Sequence, residues 1–260
     1  GSLSSCTAPD LGAAAIKAAV ERAGLQPADI DEVIFGCVLP AGLKQGPARQ
    51  AMRQAGLPDS TGATTINKIC GSGMKAVMQA ADAIKAGSAE FVVAGGMESM
   101  SNAPYLLEKA RAGYRMGHGK TTDHMFQEGL EDAETGLSMG ILAQEMADQK
   151  GYTREQQDAF AINSLNKAVA AIQGGFFKEE ITPVTVKNRK GEAVVDTDEQ
   201  PLSAKPEKIP TLRPAFKKDG TITAANASSI SDGASALVIT SEEIANQRGL
   251  KPLAKVAAYA

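Results

Sequence analysis

Residues 64–77 read TTINKICGSGMKAV, and the change of period inside this stretch decides the fold. Thr64, Thr65 and Ile66 form a short β-branched run that favours extended backbone. Behind them Cys70, Gly71, Ser72 and Gly73 open a tract with helical spacing, Gly71–Ala86. A strand (Ala63–Ile69) that turns straight into a helix puts Cys70 at the helix N-terminus. There the unpaired N–H groups and the macrodipole favour negative charge by about 0.3–1 kcal/mol. A thiol so placed is expected to have a lowered pKa and to be a better nucleophile. Gly71 and Gly73 leave room for a flat carbonyl, and the adjacent backbone N–H groups are candidate oxyanion donors. The competing reading is a buried, inert cysteine at a tight packing corner. On C-G-S-G alone that packing reading is favoured.

Working outward, α and β patterns alternate. LGAAAIKAAVERAG (11–24) reads as a helix with Asp10 as cap and Gly24 as stop. Glu32–Leu39 reads as a buried strand, and GPARQAMRQAGL (46–57) as a short helix with Pro47 in its first turn. EFVVA (90–94) reads as a third strand. Such alternation predicts an α/β fold with a mostly parallel sheet covered by helices. From Gly96 to about Ile230 the pattern changes to a segment richer in Met, Lys, Asp and Gly. It contains one amphipathic helix, Arg154–Gly174, and is too long for a plain loop, so it is expected to fold as a lobe. ASALVITS (234–241) then reads as a strand, EEIANQRGL (242–250) as a helix capped by Ser241, and PLAKVAAYA (252–260) as a final strand.

The 260 residues carry a net charge of −3 without a basic stripe, which argues against nucleic acid or an anionic membrane as partner. No apolar run approaches the roughly 20 residues needed to span a bilayer. Three cysteines, without a C-x-x-C or a nearby histidine at ligand spacing, argue against a disulfide framework or a metal site and fit a reducing compartment. Cys37 reads as a small buried hydrophobe, and Cys6, in a Ser-rich turn, as incidental. His118 (MGHGK) and His124 (TDHMF) read as surface or loop residues.

Five stretches carry a resemblance. TTINKICGSGMKAV, VVAGGMESMSNAPY (92–105), GPARQAM (46–52), LRPAF (212–216) and TITAANASSISDGASA (221–236) resemble the thiolase family, in family order and at family spacing. The likeness runs over essentially the whole chain. It implies two similar αβ halves stacked in αβαβα layers, with a loop domain inserted in the first half. On that pattern residues 1–99 and 231–260 would form the N-terminal core and 100–230 the inserted loop domain. The resemblance also makes Cys70 the nucleophile of an acyl transfer through an S-acyl-cysteine intermediate. It implies an acetyl-CoA C-acetyltransferase that forms or cleaves acetoacetyl-CoA. Coenzyme A thioesters are then substrates, and no cofactor is called for. Leu130, Ser138, Met139, Ala215, Phe216, Ala224 and Ser228 fall on coenzyme A-facing positions of the family: Ala215, Phe216 and Ala224 on the pantetheine tunnel, Ser228 on the polar contact to its amide. Homodimers or homotetramers, a cytoplasmic location and a place in fatty-acid metabolism are implied likewise.

The sequence departs from the family in stated ways. The GHP, Asn-Glu-Ala-Phe and C-x-G-G-G motifs of a second half do not occur in the 260 residues. The resemblance therefore implies a chain without the C-terminal half and without the first core strand. Such a chain is expected to be inactive in condensation and poorly soluble by itself. Ser138 stands where many acetoacetyl-CoA-forming members have a histidine, which leaves a broader 3-ketoacyl-CoA thiolase as an alternative. A non-catalytic acyl-CoA-binding protein is the alternative of a different class.

Overall fold

The computed structural model describes residues 1–188 and 191–260. The first helix, α1 (Ala8–Arg22), starts at Thr7, not at Asp10. Thr7 Oγ1 accepts from the Asp10 N–H, and the Asp10 carboxylate accepts from the Thr7 N–H, at 3.4 and 2.9 Å. Asp10 thus closes a reciprocal capping box from the third helical position, and the first turn gains Ala8 and Pro9. Leu11, Ile16 and Val20 form its buried face. There follow β1 (Glu32–Gly36), α2 (Pro47–Gln54), β2 (Gly62–Ile66), α3 (Ser72–Lys85) and β3 (Val92–Ser99).

Beyond Ser99 the chain makes a short strand pair, β4 (Tyr105–Leu106) with β5 (Thr122–Asp123), and a π-helical turn, Phe126–Leu130. Helices α4 (Met139–Lys150) and α5 (Arg154–Gln173) come next, then the antiparallel strands β6 (Val184–Asn188) and β7 (Gly191–Val195) and the short helix α6 (Glu199–Ser203). The chain then returns to the first sheet as β8 (Asp232–Ile239), and α7 (Glu242–Gln247) follows, with Ser241 accepting from the Ile244 N–H at its start.

The main sheet has the order β2-β1-β3-β8. The first three strands are parallel and β8 is antiparallel to β3. One face carries α1 and α2 over Val33, Phe35, Val93 and Met97, and the other carries α3 over Ile34, Val92 and Ala94. Burial on both faces explains why VIF and VVA lack a polar alternation. The sheet is thus a mixed, mostly parallel one with helices on both sides, as expected.

Two expectations change. PLAKVAAYA forms no strand: residues 251–260 pair with nothing in the sheet, and Leu253 is fully exposed. That stretch has the propensity of a strand but no neighbouring edge, and without a ladder partner its backbone stays irregular. β2 stops at Ile66, so three residues, Asn67 to Ile69, and not a direct junction, separate strand from cysteine.

Candidate active site

The carboxyl ends of the parallel strands lie level, because Gly36 pairs with both Ile66 and Gly96. The loops after β1, β2 and β3 therefore leave from one edge, the edge at which open α/β sheets collect their ligands. Three polar devices shape it. The Glu98 carboxylate accepts from the Val38 and Leu39 N–H groups at 2.8 and 3.0 Å, fixing the loop after β1. The Asp232 carboxylate accepts from Ser101 N and Ser101 Oγ at 2.9 and 2.6 Å. The third is the turn after β2 that carries Cys70.

That turn is built from its own side chains. The Asn67 carboxamide oxygen accepts from the Ile69 N–H at 2.9 Å, and Ser72 Oγ accepts from the Lys68 N–H at 2.8 Å while donating to the Ile69 carbonyl at 2.6 Å. Ile69 sits at φ +49°, left-handed backbone that a β-branched residue rarely adopts. Cys70 follows, exposed, one residue before the Gly71 cap of α3. Gly36 makes the arrangement possible: a Cβ there would stand 2.6 Å from Ser72 Cβ. The packing reading of Cys70 as a buried residue is not what the structure shows. The other two cysteines are buried. Cys37 is 1 % exposed, and burial, with the Glu98 charge next in size, pushes its thiol up to about 12. Cys6 is not incidental to the fold: it is 8 % exposed and packs with Leu11 and Val186, and burial raises its thiol too.

The remaining candidates lie between β5 and β8. Leu130 ends the π-helical turn, and Glu131 bridges to Ser138. Ser138 caps α4, accepting from the Ile141 N–H at 3.4 Å, and Met139 is the first helical residue. The Phe216 ring lies over Gly140, which has no side chain to obstruct it. Ala215 donates its N–H to the Ile222 carbonyl at 2.9 Å, joining LRPAF to the following loop. Ala224 and Ser228 line a cavity of about 1200 Å³. Its opposite wall is Phe160, Ser164 and Leu165 of α5, and Lys205 and Lys208 stand along the 200–212 segment. Ala215 and Phe216 border a separate cavity of about 440 Å³, and Ser138 and Met139 adjoin it only through the contact of Gly140 with Phe216. Among the described residues no hydrogen bond ties the Cys70 turn to any of the seven positions.

Sequence reasoning passed over the polar frame that holds this cavity. Gln144, 1 % exposed, accepts from the Thr221 and Ile222 N–H groups at 2.8 and 3.0 Å and donates to Asp148 and Thr221 Oγ1. Arg154 pairs with Asp158 at 2.7 Å and donates to the Ile209 and Leu212 carbonyls. Asn226 accepts from the Thr223 N–H at 2.7 Å and donates to Asp158 and the Thr221 carbonyl. The signal available was a glutamine at the centre of α4 and an Arg–Asp pair four apart at the start of α5. His124 is also not a surface residue: it is 5 % exposed, and its Nε2 accepts from the Ala41 N–H at 3.4 Å. The chain folds the root of the insertion against the loop after β1, which encloses the ring. His118 is exposed.

Among the described residues no helix is long and apolar enough to cross a membrane. Comparison with known proteins agrees with this architecture. Residues 1–243 match the family model described as thiolase, N-terminal domain. The chain is 52 % identical over its whole length to an acetyl-CoA acetyltransferase of Pseudomonas aeruginosa and 53 % identical to one of Escherichia coli, covering 67 % and 66 % of those proteins. Among solved structures it resembles the acetyl-CoA acetyltransferase of Syntrophomonas wolfei, with a TM-score of 0.92 and 44 % identity. It also resembles the Acat5 thiolase of Ascaris suum in complex with coenzyme A, with a TM-score of 0.90 and 42 % identity. Each solved likeness covers 97 % of this chain and 64 % of the other. The chain thus spans about two thirds of the length of these relatives. With the match running through the strands, the Cys70 turn and the cavity loops alike, the chain belongs to the thiolase family.

Proposed function

We propose that Cys70 is the acyl-accepting nucleophile of an acyl-CoA:acetyl-CoA C-acyltransferase that forms or cleaves acetoacetyl-CoA. The observation that carries this reading is the contrast among the cysteines: two are buried with raised thiols, and the third stands exposed at a helix start on the ligand-collecting edge of the sheet. In the half-reaction assigned to this chain the Cys70 sulfur attacks the thioester carbonyl. The carbon–sulfur bond to coenzyme A breaks, and the departing coenzyme A thiolate takes up the proton that the cysteine lost. The developing oxyanion is assigned to backbone N–H groups at the start of α3 other than those of Gly71 and Ser72, which donate to the Lys68 and Ile69 carbonyls. The thioester that remains keeps the acyl carbon activated for a second acceptor.

The pantetheine arm is assigned to Leu130, Ser138, Met139, Ala215, Phe216, Ala224 and Ser228. Apolar walls with a few fixed polar groups suit a long flexible ligand, and Ser228 is assigned the pantetheine amide. Coenzyme A thioesters are on this reading substrates, and no further cofactor is assigned. Residues 100–230 are assigned to an inserted loop domain carrying this binding region, and 1–99 with 231–260 to the core carrying the nucleophile. A homodimer or homotetramer, a cytoplasmic location and a role in fatty-acid metabolism complete the reading. A broader 3-ketoacyl-CoA thiolase is the second reading. It is favoured by Ser138 at α4 and by 46 % identity to a probable acetyl-CoA acyltransferase of Staphylococcus aureus.

Site-resolved alkylation tests the assignment. Iodoacetamide is expected to modify Cys70 at least tenfold faster than Cys6 or Cys37, and acetyl-CoA to protect it. Equal, slow labelling of all three, or no protection, contradicts it.

A further inference from the structure

The strand-to-helix turn holds a feature that the assignment of a nucleophile does not require. Ile69, the residue before Cys70, lies at φ +49°. For a β-branched side chain this conformation is strongly disfavoured relative to right-handed backbone. It persists only where surrounding bonds over-determine it. Here they do. Ile69 N donates to Asn67 at 2.9 Å, and the Ile69 carbonyl accepts from both Ser72 Oγ and Ser72 N, at 2.6 and 3.0 Å. On the preceding peptide, Lys68 N donates to Ser72 Oγ at 2.8 Å and the Lys68 carbonyl accepts from Gly71 N at 3.1 Å. The polar groups of both residues before Cys70 are thus tied down, three of the bonds being made by the Ser72 hydroxyl and the Asn67 carboxamide. Ser72 is 4 % exposed and abuts Gly36, so its hydroxyl has no competing solvent.

We infer that Ser72 and Asn67 are positioning residues for Cys70. Their bonds hold Ile69 in the left-handed conformation, and that conformation presents the Cys70 sulfur at the exposed start of α3. Neither side chain touches the reacting atoms on this account. Both act through the backbone of residues 68 and 69. Relaxation of Ile69 to right-handed or extended backbone would swing the following residue off the helix start. The inference rests on Cys70 being the acyl acceptor, yet its geometry can be tested apart from that reading.

The experiment uses the full chain and four forms: wild type, Ser72→Ala, Asn67→Ala and the double variant Ile69→Gly with Ser72→Ala. Three quantities are followed: the rate of iodoacetamide modification at Cys70, with Cys6 and Cys37 as internal references, the acetylation of Cys70 by acetyl-CoA, and the thermal midpoint. Ser72→Ala and Asn67→Ala are each expected to slow Cys70 modification at least fivefold while Cys6 and Cys37 stay protected. Ile69→Gly is expected to restore at least half of the rate lost in Ser72→Ala, because glycine enters left-handed backbone without penalty. A merely structural serine would lower the midpoint without that rescue. Should Ser72→Ala fail to fold, Asn67→Ala, on the exposed side of the turn, decides by itself. Unchanged Cys70 modification in the folded variants, or no rescue by glycine, overturns the inference. Absence of acetylation in wild type overturns the acyl-transfer reading instead, and the alkylation rates still judge the positioning of Cys70.

Discussion

The two regions that the proposed reaction needs are built on opposite principles. The sheet with its helices is held by apolar burial: Phe35, Phe91, Val33 and Ile16 are essentially inaccessible. The region around the large cavity has few such residues. It is held by Gln144, Asn226 and the Arg154–Asp158 pair, which hydrogen-bond backbone groups of segments that would otherwise be loops. A core that fills itself with side chains leaves no space for a ligand, whereas polar braces can hold an open cavity apart. The proposed nucleophile accordingly sits on the apolar, close-packed part, and the ligand-sized space on the braced part.

This contrast can be broken from either side. Phe35→Ala empties the core on the α1 side and is expected to lower the unfolding free energy by about 3–5 kcal/mol, read by urea denaturation. Gln144→Ala strips the acceptor from two backbone N–H groups. The expected loss is about 2–4 kcal/mol, confined to the braced region, since each buried donor left unpaired costs about 1–3 kcal/mol. Hydrogen exchange separates the two cases. The amides of Thr221 and Ile222 should lose protection in Gln144→Ala while those of Val33 and Val93 keep theirs. Parallel loss in both sets would mean that the regions unfold as one.

Titration sharpens the comparison, because each region has its own pH limb. The Cys37 thiol is raised from 9.0 to about 12 in the folded core. Its protonated form is therefore favoured by folding. The associated stability is fully present below pH 9 and is lost as pH rises toward 12, by up to about 4 kcal/mol at about 1.36 kcal/mol per unit. Cys37→Ala should lower stability at neutral pH and flatten this alkaline decline. An unaltered decline would place its source elsewhere. In the braced region the Lys217 ammonium and then Gln144 hold the Asp148 carboxyl below its usual range. That contribution is present above the ordinary carboxylate pKa of about 3.9 and is lost as pH falls through the depressed value. The group is exposed, so the effect is the smallest of the set. Lys217→Ala should move the acid midpoint slightly upward, and no movement would remove the pair from the account.

The same division explains what the sequence disclosed. The core was legible because apolar burial leaves a pattern: the unbroken apolar runs VIF and VVA and the helical apolar face of α1 announce their elements. α4 was passed over because its buried face is Gln144 and Ala147, and a polar residue at an interior position hides the helical stripe. The paired strands β6 and β7 lay inside a charged stretch, where strand propensity is masked by solvent-facing residues. Cys70 was placed correctly at a helix start, but its own residues favoured a buried, inert thiol, and the structure exposes it. The left-handed Ile69 was not foreseeable, since isoleucine disfavours that backbone and it is the Asn67 carboxamide and the Ser72 hydroxyl that hold it there. His124 was misread because its neighbours are loop residues in sequence, and its burial arises from a contact with Ala41, 83 positions away.

The central claim is most directly tested by exposing the full chain to acetyl-CoA and mapping acetyl groups by peptide mass spectrometry while free coenzyme A is measured. The account predicts a thioester on Cys70, with coenzyme A released in equal amount and both lost in Cys70→Ser. An acetyl group found only on lysines or on Cys6 or Cys37, or coenzyme A release that survives Cys70→Ser, would contradict it.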